Sequence, residues 1–582
     1  MVTQCQFGPS LAPSTNRKSI RMRQYLVPQP ILSTEPERLQ ALIDYTQELD
    51  AHVQKRARAN QLKLPELAFA PAALASLGPK YPARTFSYLN ELERDQSDAP
   101  ADDTELFDDV AAYFQGAIRP QSRHSLFNMV PEPSMEATAA AWLATAYNTN
   151  SLMDAFGGEA LLIEQKVARC IGAWAGWPQA MGIACSGGKF TIMYALKSAL
   201  SRIAPGSLRT GLPSDLVILC SEGSHYCVEH AASLLGLGSD NCLRVPGNSD
   251  GRMQADALRR ILNEQHARGR RVAAIVCCGG TTINFNCEDT HEVRAIVEAF
   301  AHEHALQERP YLHLDSVIGW LYLTLLNADS AQLHQRVPDP RSRERIAEVL
   351  RRLRGIDGFD SLGVDFHKNG LCPYASSFFV ARDHRFMDEL GDGNYRYSDQ
   401  DFQFGQFRTY RYTFENSRQS QGILSAWVNL RRLGRNGYAD YLTSLHDARN
   451  SLADAFERHG LFRVLNTSSL GWELVFEAPF GSDLIALALS YQDLAMSFMQ
   501  ECWTRVNAGY DLPLFSVVPD YRINNNPDAV TTGFLLYPMQ QRADHQWDET
   551  VALIAAQFHH FQARLREEPA ELAVVTFEKP IR

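Results

Sequence analysis

The sequence predicts an α/β fold, a mostly parallel sheet with helices on both faces, preceded by a helical segment and followed by a smaller α+β domain. Three observations predict it. Apolar runs of strand length alternate with helical stretches through the middle of the chain, the pattern of a parallel sheet whose crossovers are helices. After about residue 435 the order changes to long helices with isolated strand runs, which reads as a separate unit. The 582 residues are also too many for one hydrophobic core, so two or three domains are required. They are expected at 1–120, 121–435 and 436–582.

In chain order, 36–60 and 104–117 read as helices, and the acidic, helix-poor "ERDQSDAPADD" (93–103) between them reads as a linker. From about 120, "LVILC" (216–220), "VAAIVCC" (272–278), "YLHLD" (311–315), "SLGVDF" (361–366) and "SSFFVA" (376–381) read as strands. Helical stretches at 188–202, 252–266, 290–305 and 342–353 alternate with them. The last part reads as helices at 420–434, 438–459, 483–508 and 546–566, with strand runs at 472–479 and 533–538.

Composition narrows the function classes. A net charge of −11 argues against nucleic acid or an anionic membrane as the main partner, since both select basic patches. No run reaches the length of a membrane span, and the polar opening has no apolar signal core. The eleven cysteines are odd in number, scattered and without a CxxC pair, and several lie in apolar runs where a thiol acts as a small hydrophobe. That pattern belongs to a reducing compartment and gives a cytoplasmic expectation.

Chemistry concentrates at a few places. "ACSGGKFTIMYALKSAL" (184–200) is a Gly-rich turn opening a helix, where freed N–H groups and the helix's positive end suit an anion such as phosphate. "LGLGSD" (235–240) ends a helix instead of following a strand, so it reads as a C-terminal cap and not a dinucleotide loop. No metal site is expected. His302 and His304 point to nearly opposite sides of a helix, and with His313 they read as surface histidines. Ser186, Asp315 and His367 follow the order of an α/β-hydrolase triad, which leaves a serine hydrolase as one alternative.

Lys368 is the residue that needs explaining. It closes an apolar strand run, and lysine is among the side chains least willing to be buried. Pyridoxal phosphate accounts for it, because as a Schiff base the lysine sheds much of the cost of burying an ammonium. The same cofactor needs a carboxylate for its ring nitrogen, which Asp315 supplies at the end of the neighbouring strand run. It needs a donor-rich cup (Ser186, Gly187 and Gly188), a flat group against the ring (His225) and hydroxyls (Thr281, Thr282).

These residues carry a resemblance. "SGG" (186–188), "HYCVEHAASLLGLG" (225–238), "GGTTINFNCED" (279–289), "HLDS" (313–316), "DSLGVDFHKNGLCPY" (360–374) and "ENSRQSQGILSAWVNLRRLGRNGY" (415–438) resemble, in order, the motifs of the group II pyridoxal-phosphate-dependent amino-acid decarboxylases. "AWLATAYNTN" (141–150) is similar to the glutamate-decarboxylase branch. The resemblance implies fold type I, decarboxylation of an amino acid, and a homodimer with active sites at the subunit interface. It also implies that residues 1–120 are a dimerisation segment. It assigns catalytic roles to Lys368, His225, Asp315 and a loop tyrosine, with Tyr395, Tyr397 and Tyr410 as candidates. Cofactor contacts fall to Ser186, Gly187, Gly188, Lys189, His225, Thr281, Thr282, Asp315, Asp365, His367 and Lys368, and substrate contacts to Asn128, Arg418 and Arg522. A related enzyme that diverts the same carbanion to oxidation or elimination would share every motif, whereas a silent dimer scaffold would bind no cofactor.

Two departures bear on the site. Where relatives have threonine after the two glycines, this chain has Lys189, which either adds charge to the phosphate site or is a solvated helix residue, with Thr191 two positions on. Gly533 is expected where relatives carry an arginine for the substrate α-carboxylate, with Arg418 or Arg522 in compensation.

Overall fold

In the computed structural model the described residues are 35–59, 75–77, 89, 92–93, 100–391, 396–485, 490–539 and 546–567. The chain divides into two compact units, one of residues 1–65, 76–117 and 507–509, the other of 66–75, 118–506 and 510–582.

In the first unit, α1 (Glu35–Ala59) packs against α2 (Asp103–Phe114), burying Val53, Ala57, Phe107 and Ala111. The Tyr45 ring meets Phe107 edge-on at 5.4 Å. Asp102, the last but one residue of the expected linker, opens α2. Its side chain accepts from the N–H groups of Thr104 and Glu105 while Glu105 reaches back to its N–H, a capping box. Residues 94–99 of that linker lie outside the described residues.

The second unit is built on a seven-stranded sheet of β1 (Met181–Cys185), β2 (Leu216–Ser221), β3 (Cys242–Val245), β4 (Arg271–Cys278), β5 (Tyr311–Asp315), β6 (Ser361–Asp365) and β7 (Ser377–Ala381). Their order is β1-β7-β6-β5-β4-β2-β3, and β7 alone runs antiparallel to its neighbours. This is the fold type I architecture. The helices α3 (Met135–Ala146), α4 (Ala160–Trp174), α5 (Gly188–Ile203), α6 (Cys227–Leu234), α7 (Ala255–Ala267), α8 (Thr290–Glu303) and α9 (Pro340–Arg352) accompany it. Both faces are covered, because alternate residues of one strand enter different cores: Val217 and Leu219 one, Ile218 and Cys220 the other.

All five expected strands are present within about two residues, but β1 and β3 were not foreseen. "MGIAC" is short and holds Gly182, where a Cβ would strike the Phe379 carbonyl of β7, and "CLRV" is a half-buried edge strand with an arginine. "LGLGSD" does cap α6. Gly236 takes a φ of 80° while the Leu237 N–H donates back to the Ala232 carbonyl.

α10 (Gln421–His459) covers both helices expected at 420–434 and 438–459, interrupted only by the non-helical Gly434. Beyond it, β8 (Arg463–Val464), β9 (Leu474–Glu477), β10 (Ser516–Arg522) and β11 (Val530–Leu536) form an antiparallel sheet of order β10-β11-β9-β8. With α11 (Tyr491–Asn507) and α12 (Trp547–Glu567) it encloses an aromatic core that includes Phe476, Phe498, Phe515, Phe534 and Phe558. The helix expected at 483–508 is a turn at Ser482–Ile485 followed by α11, with 486–489 outside the described residues. No helix among the described residues is long and apolar enough to cross a membrane.

Candidate active site

The carboxyl ends of β2, β4, β5 and β6 open into a cleft of ≈ 1760 Å³, walled on the far side by β10 and the turn after it. This is where open α/β sheets bind ligands. Gly188, Lys189, His225, Thr281, Thr282, Asp315, Asp365, His367, Lys368 and Arg522 all line it.

At the end of β6, Lys368 sits on a single helical turn with Nζ 2.9 Å from Asp365 Oδ2. Asp365 is buried, accepts from Ser377 Oγ of β7 at 2.6 Å, and has His367 Nε2 at 3.5 Å. Burial alone would raise its carboxyl, but the charges of Lys368 and His367 and the hydrogen bonds hold it below its ordinary value. Burial would lower the Lys368 ammonium, and contact with Asp365 more than reverses that. The glycine turn is shaped around this pair, since a Cβ on Gly188 would lie 3.1 Å from both Asp365 Oδ2 and Val317 Cγ1.

Asp315, one strand over, is in the opposite state. Its Oδ1 is buried without a hydrogen-bond partner, and burial pushes its carboxyl up to about 6 against the opposing charge of Lys368. His225 is exposed to the cleft and takes the Cys227 N–H on Nδ1 at 3.2 Å. Its surroundings and the charges of Lys368, Lys189 and Arg244 lower it, so the ring is neutral with its proton on Nε2. Thr281 is committed to its own turn, donating to the Ile283 carbonyl at 2.6 Å and accepting from the Asn286 N–H at 2.8 Å. Thr282 is exposed on the cleft. That turn needs Gly280, whose φ is 118° and whose Cβ would meet the Phe285 ring at 2.6 Å. Lys189 meets His230 Nδ1 at 2.9 Å and lies over the Tyr226 ring.

Several expectations need correction. Arg418 is no carboxylate anchor. It is buried, pairs with Glu164 at 2.7 Å, and spends further N–H groups on the Ala184 and Ser151 carbonyls and Thr409 Oγ1. Asn128 is exposed, accepts from the Met129 N–H, and does not line the cleft. Tyr397 does not line it either and stacks on His384 at 4.2 Å, while Tyr395 lies outside the described residues. Thr191 is buried with its hydroxyl donating to the Gly188 carbonyl. Gly533 pairs with Val518 of β10 and does not itself line the cleft; a Cβ there would meet Val475 Cγ1 at 2.5 Å. Ser186 lines a smaller adjoining hollow of ≈ 350 Å³ instead of the main cleft. The hydrolase triad is not assembled, because the carboxylate beside His367 is Asp365 and not Asp315. His313 is fully buried against Ser361 Oγ at 2.8 Å, so the surface reading fits only the other two histidines.

The far wall was largely missed in sequence. Arg522 Nη1 meets Glu222 Oε1 at 3.0 Å across the cleft, and Glu222 also accepts the Gly247 N–H. Asn525 donates to Asn286 and Asn284 to Asn525. The run of three asparagines at 524–526 was the available signal.

The residues fit pyridoxal phosphate. Asp315 Oδ1 lacks the donor that a protonated ring nitrogen would bring, an amine stands at the cleft, and a neutral imidazole offers a flat face.

The pyridoxal-dependent decarboxylase conserved domain matches residues 87–338. Glutamate decarboxylase of Drosophila melanogaster is 25% identical over 220 residues, 37% of this chain and 41% of that protein. L-2,4-diaminobutyrate decarboxylase of Rhizobium meliloti is 27% identical over 325 residues, 54% of this chain and 56% of that protein. The chain thus matches less than two thirds of the length of either relative. The crystal structure of mouse CSAD in apo form is alike in fold, with a TM-score of 0.67 at 16% identity over 89% of this chain and 99% of that one. The matched segment holds the glycine turn, His225 and Asp315 together and stops short of Lys368, and over it the chain is similar to the pyridoxal-dependent decarboxylases.

Proposed function

We propose that the protein is a decarboxylase that converts an L-amino acid to the corresponding amine and carbon dioxide, with Lys368 holding pyridoxal 5'-phosphate as a Schiff base. When bound, the cofactor supplies an electron sink for the electrons left at Cα as carbon dioxide departs. The carrying observation is Asp315, which lines the same cleft as Lys368 and whose buried Oδ1 has no hydrogen-bond partner among the described residues. Asp315 would keep the ring nitrogen protonated. His225, neutral and exposed to the cleft, would cover the ring without adding charge. The N-terminus of α5 at Gly188 and Lys189 would hold the phosphate. Arg522, on the far wall, is the remaining candidate for the substrate carboxylate, and Glu222 would then have to release it.

The protein is further proposed to act as a homodimer, with α1 and α2 as the dimerisation segment. Exposed Tyr147, Phe156, Phe404 and Phe414 support a surface covered by a second copy. The free state of every described cysteine supports a cytoplasmic location.

The test is the visible absorption spectrum of the purified protein, then product analysis over acidic, diamino and aromatic amino acids. A visible band with equal amounts of amine and carbon dioxide is expected. A colourless protein that takes up no cofactor overturns the reading, and an aldehyde with ammonia in place of the amine would replace decarboxylation by an oxidative reaction.

A further inference from the structure

We propose that Asp365 is a positioning residue for Lys368, holding the free side chain as an ammonium that must be released before Nζ can attack a carbonyl carbon. This rests on the reading of Lys368 as the cofactor-bearing lysine. Asp365 has one close cation, Lys368, with His367 Nε2 farther off at 3.5 Å. Ser377 fixes Oδ1 at 2.6 Å and leaves Oδ2 to Lys368 at 2.9 Å, in a space that a side chain at position 188 would close. Lys368 has no other hydrogen bond among the described residues, and about a quarter of its side chain remains open to the cleft, so it is free to swing away.

The groups facing Lys368 are Asp365 on β6, Asp315 on β5, Cys227 at the start of α6, His225 before it, His367 on the same turn and Tyr374 beyond it. Only Asp365 is in contact. Without it, burial would act against the ammonium with only Asp315 and Cys227 to oppose. Aldehyde capture then balances as follows: the ammonium gives a proton to water in the cleft, the freed lone pair forms the C–N bond, and the carbonyl oxygen leaves as water.

The experiment uses the full chain freed of cofactor and pyridoxal as the aldehyde, with imine formation followed by visible absorbance from neutral to alkaline pH. Borohydride reduction and peptide mapping identify the modified lysine. In Asp365→Asn the midpoint of the pH–rate profile moves to lower pH, and at neutral pH the rate rises roughly tenfold for each unit of that shift. Asp365→Glu keeps the wild-type midpoint, which a merely structural role would not predict. Ser377→Ala moves it in the same direction by less, and decides the matter if Asp365→Asn does not fold. A wild-type midpoint in the folded variant overturns the inference while leaving the Lys368 reading intact. Failure of the wild-type chain to form an imine at Lys368 overturns that reading too.

Discussion

Lys368–Asp365 and Arg418–Glu164 are both buried cation–carboxylate pairs, at 2.9 Å and 2.7 Å, and both lie near the glycine turn. They differ in how fully they are satisfied. Arg418 gives N–H groups to Glu164, two carbonyls and Thr409, and Glu164 also takes the Ala184 N–H of β1. Neither of that pair lines the main cleft, and their side chains are 5% and 0% exposed. Lys368 makes one hydrogen bond and faces open space. A buried pair repays its desolvation only when its remaining donors and acceptors are filled. The more fully bonded pair, in which only Arg418 Nε lacks a partner among the described residues, ties α4 and β1 to the segment before α10, and the other is ready to exchange partners.

The sharpest way to break this contrast is Lys368→Ala. Turnover and the visible band should vanish, and the loss of stability should be smaller than for Arg418→Ala because Asp365 keeps Ser377 and His367, so a variant that still turns over would erase the distinction. Arg418→Ala should do the reverse. Leaving Glu164 buried and unpaired should cost about 3–5 kcal/mol in denaturant unfolding, and an intact stability with weakened substrate binding would return Arg418 to the site.

Asp315 tests the cleft side by pH. Its carboxyl is raised from the ordinary 3.8 to about 6 by burial, so the folded state holds a proton that the unfolded state has lost. In the cofactor-free protein this group's contribution should therefore fall as pH rises between those values, by on the order of 1–3 kcal/mol. Asp315→Asn should remove that slope in unfolding measured across the window, and an unchanged slope would show that the carboxyl is not raised. The smallest effect belongs to the half-exposed Arg522–Glu222 pair. Arg522→Ala should change stability by no more than about 1 kcal/mol and weaken apparent substrate affinity roughly tenfold. Unaltered binding would remove Arg522 as the carboxylate anchor.

What was legible in the sequence follows the range of the forces involved. The five apolar runs announced β2, β4, β5, β6 and β7 because a strand's burial is written in its own residues. β1 was not legible, because a short strand holding a glycine owes its place to β7, far along the chain. The cleft's lysine, histidine and aspartate could be found from local motifs. Arg418 was misread because its partner, Glu164, lies 254 residues earlier and no local pattern points to it. Gly533 is hard to place for a related reason. The pairing of β10 with β11 shifts between Val518 and Tyr521, so counting along β11 does not tell which residues reach the cleft wall.

The antiparallel β7 also sets a schedule for synthesis. Among the described residues β1 is an edge strand paired with β7 alone, with Cys185 opposite Ser377. The β1 edge can pair with the rest of the sheet only when residues through Ala381 are available, because β7 joins both β1 and β6. Ser377, which steadies Asp365, arrives with that strand. A nascent chain stopped before β7 carries Lys368 and Asp315 yet lacks the strand that pairs with both β1 and β6.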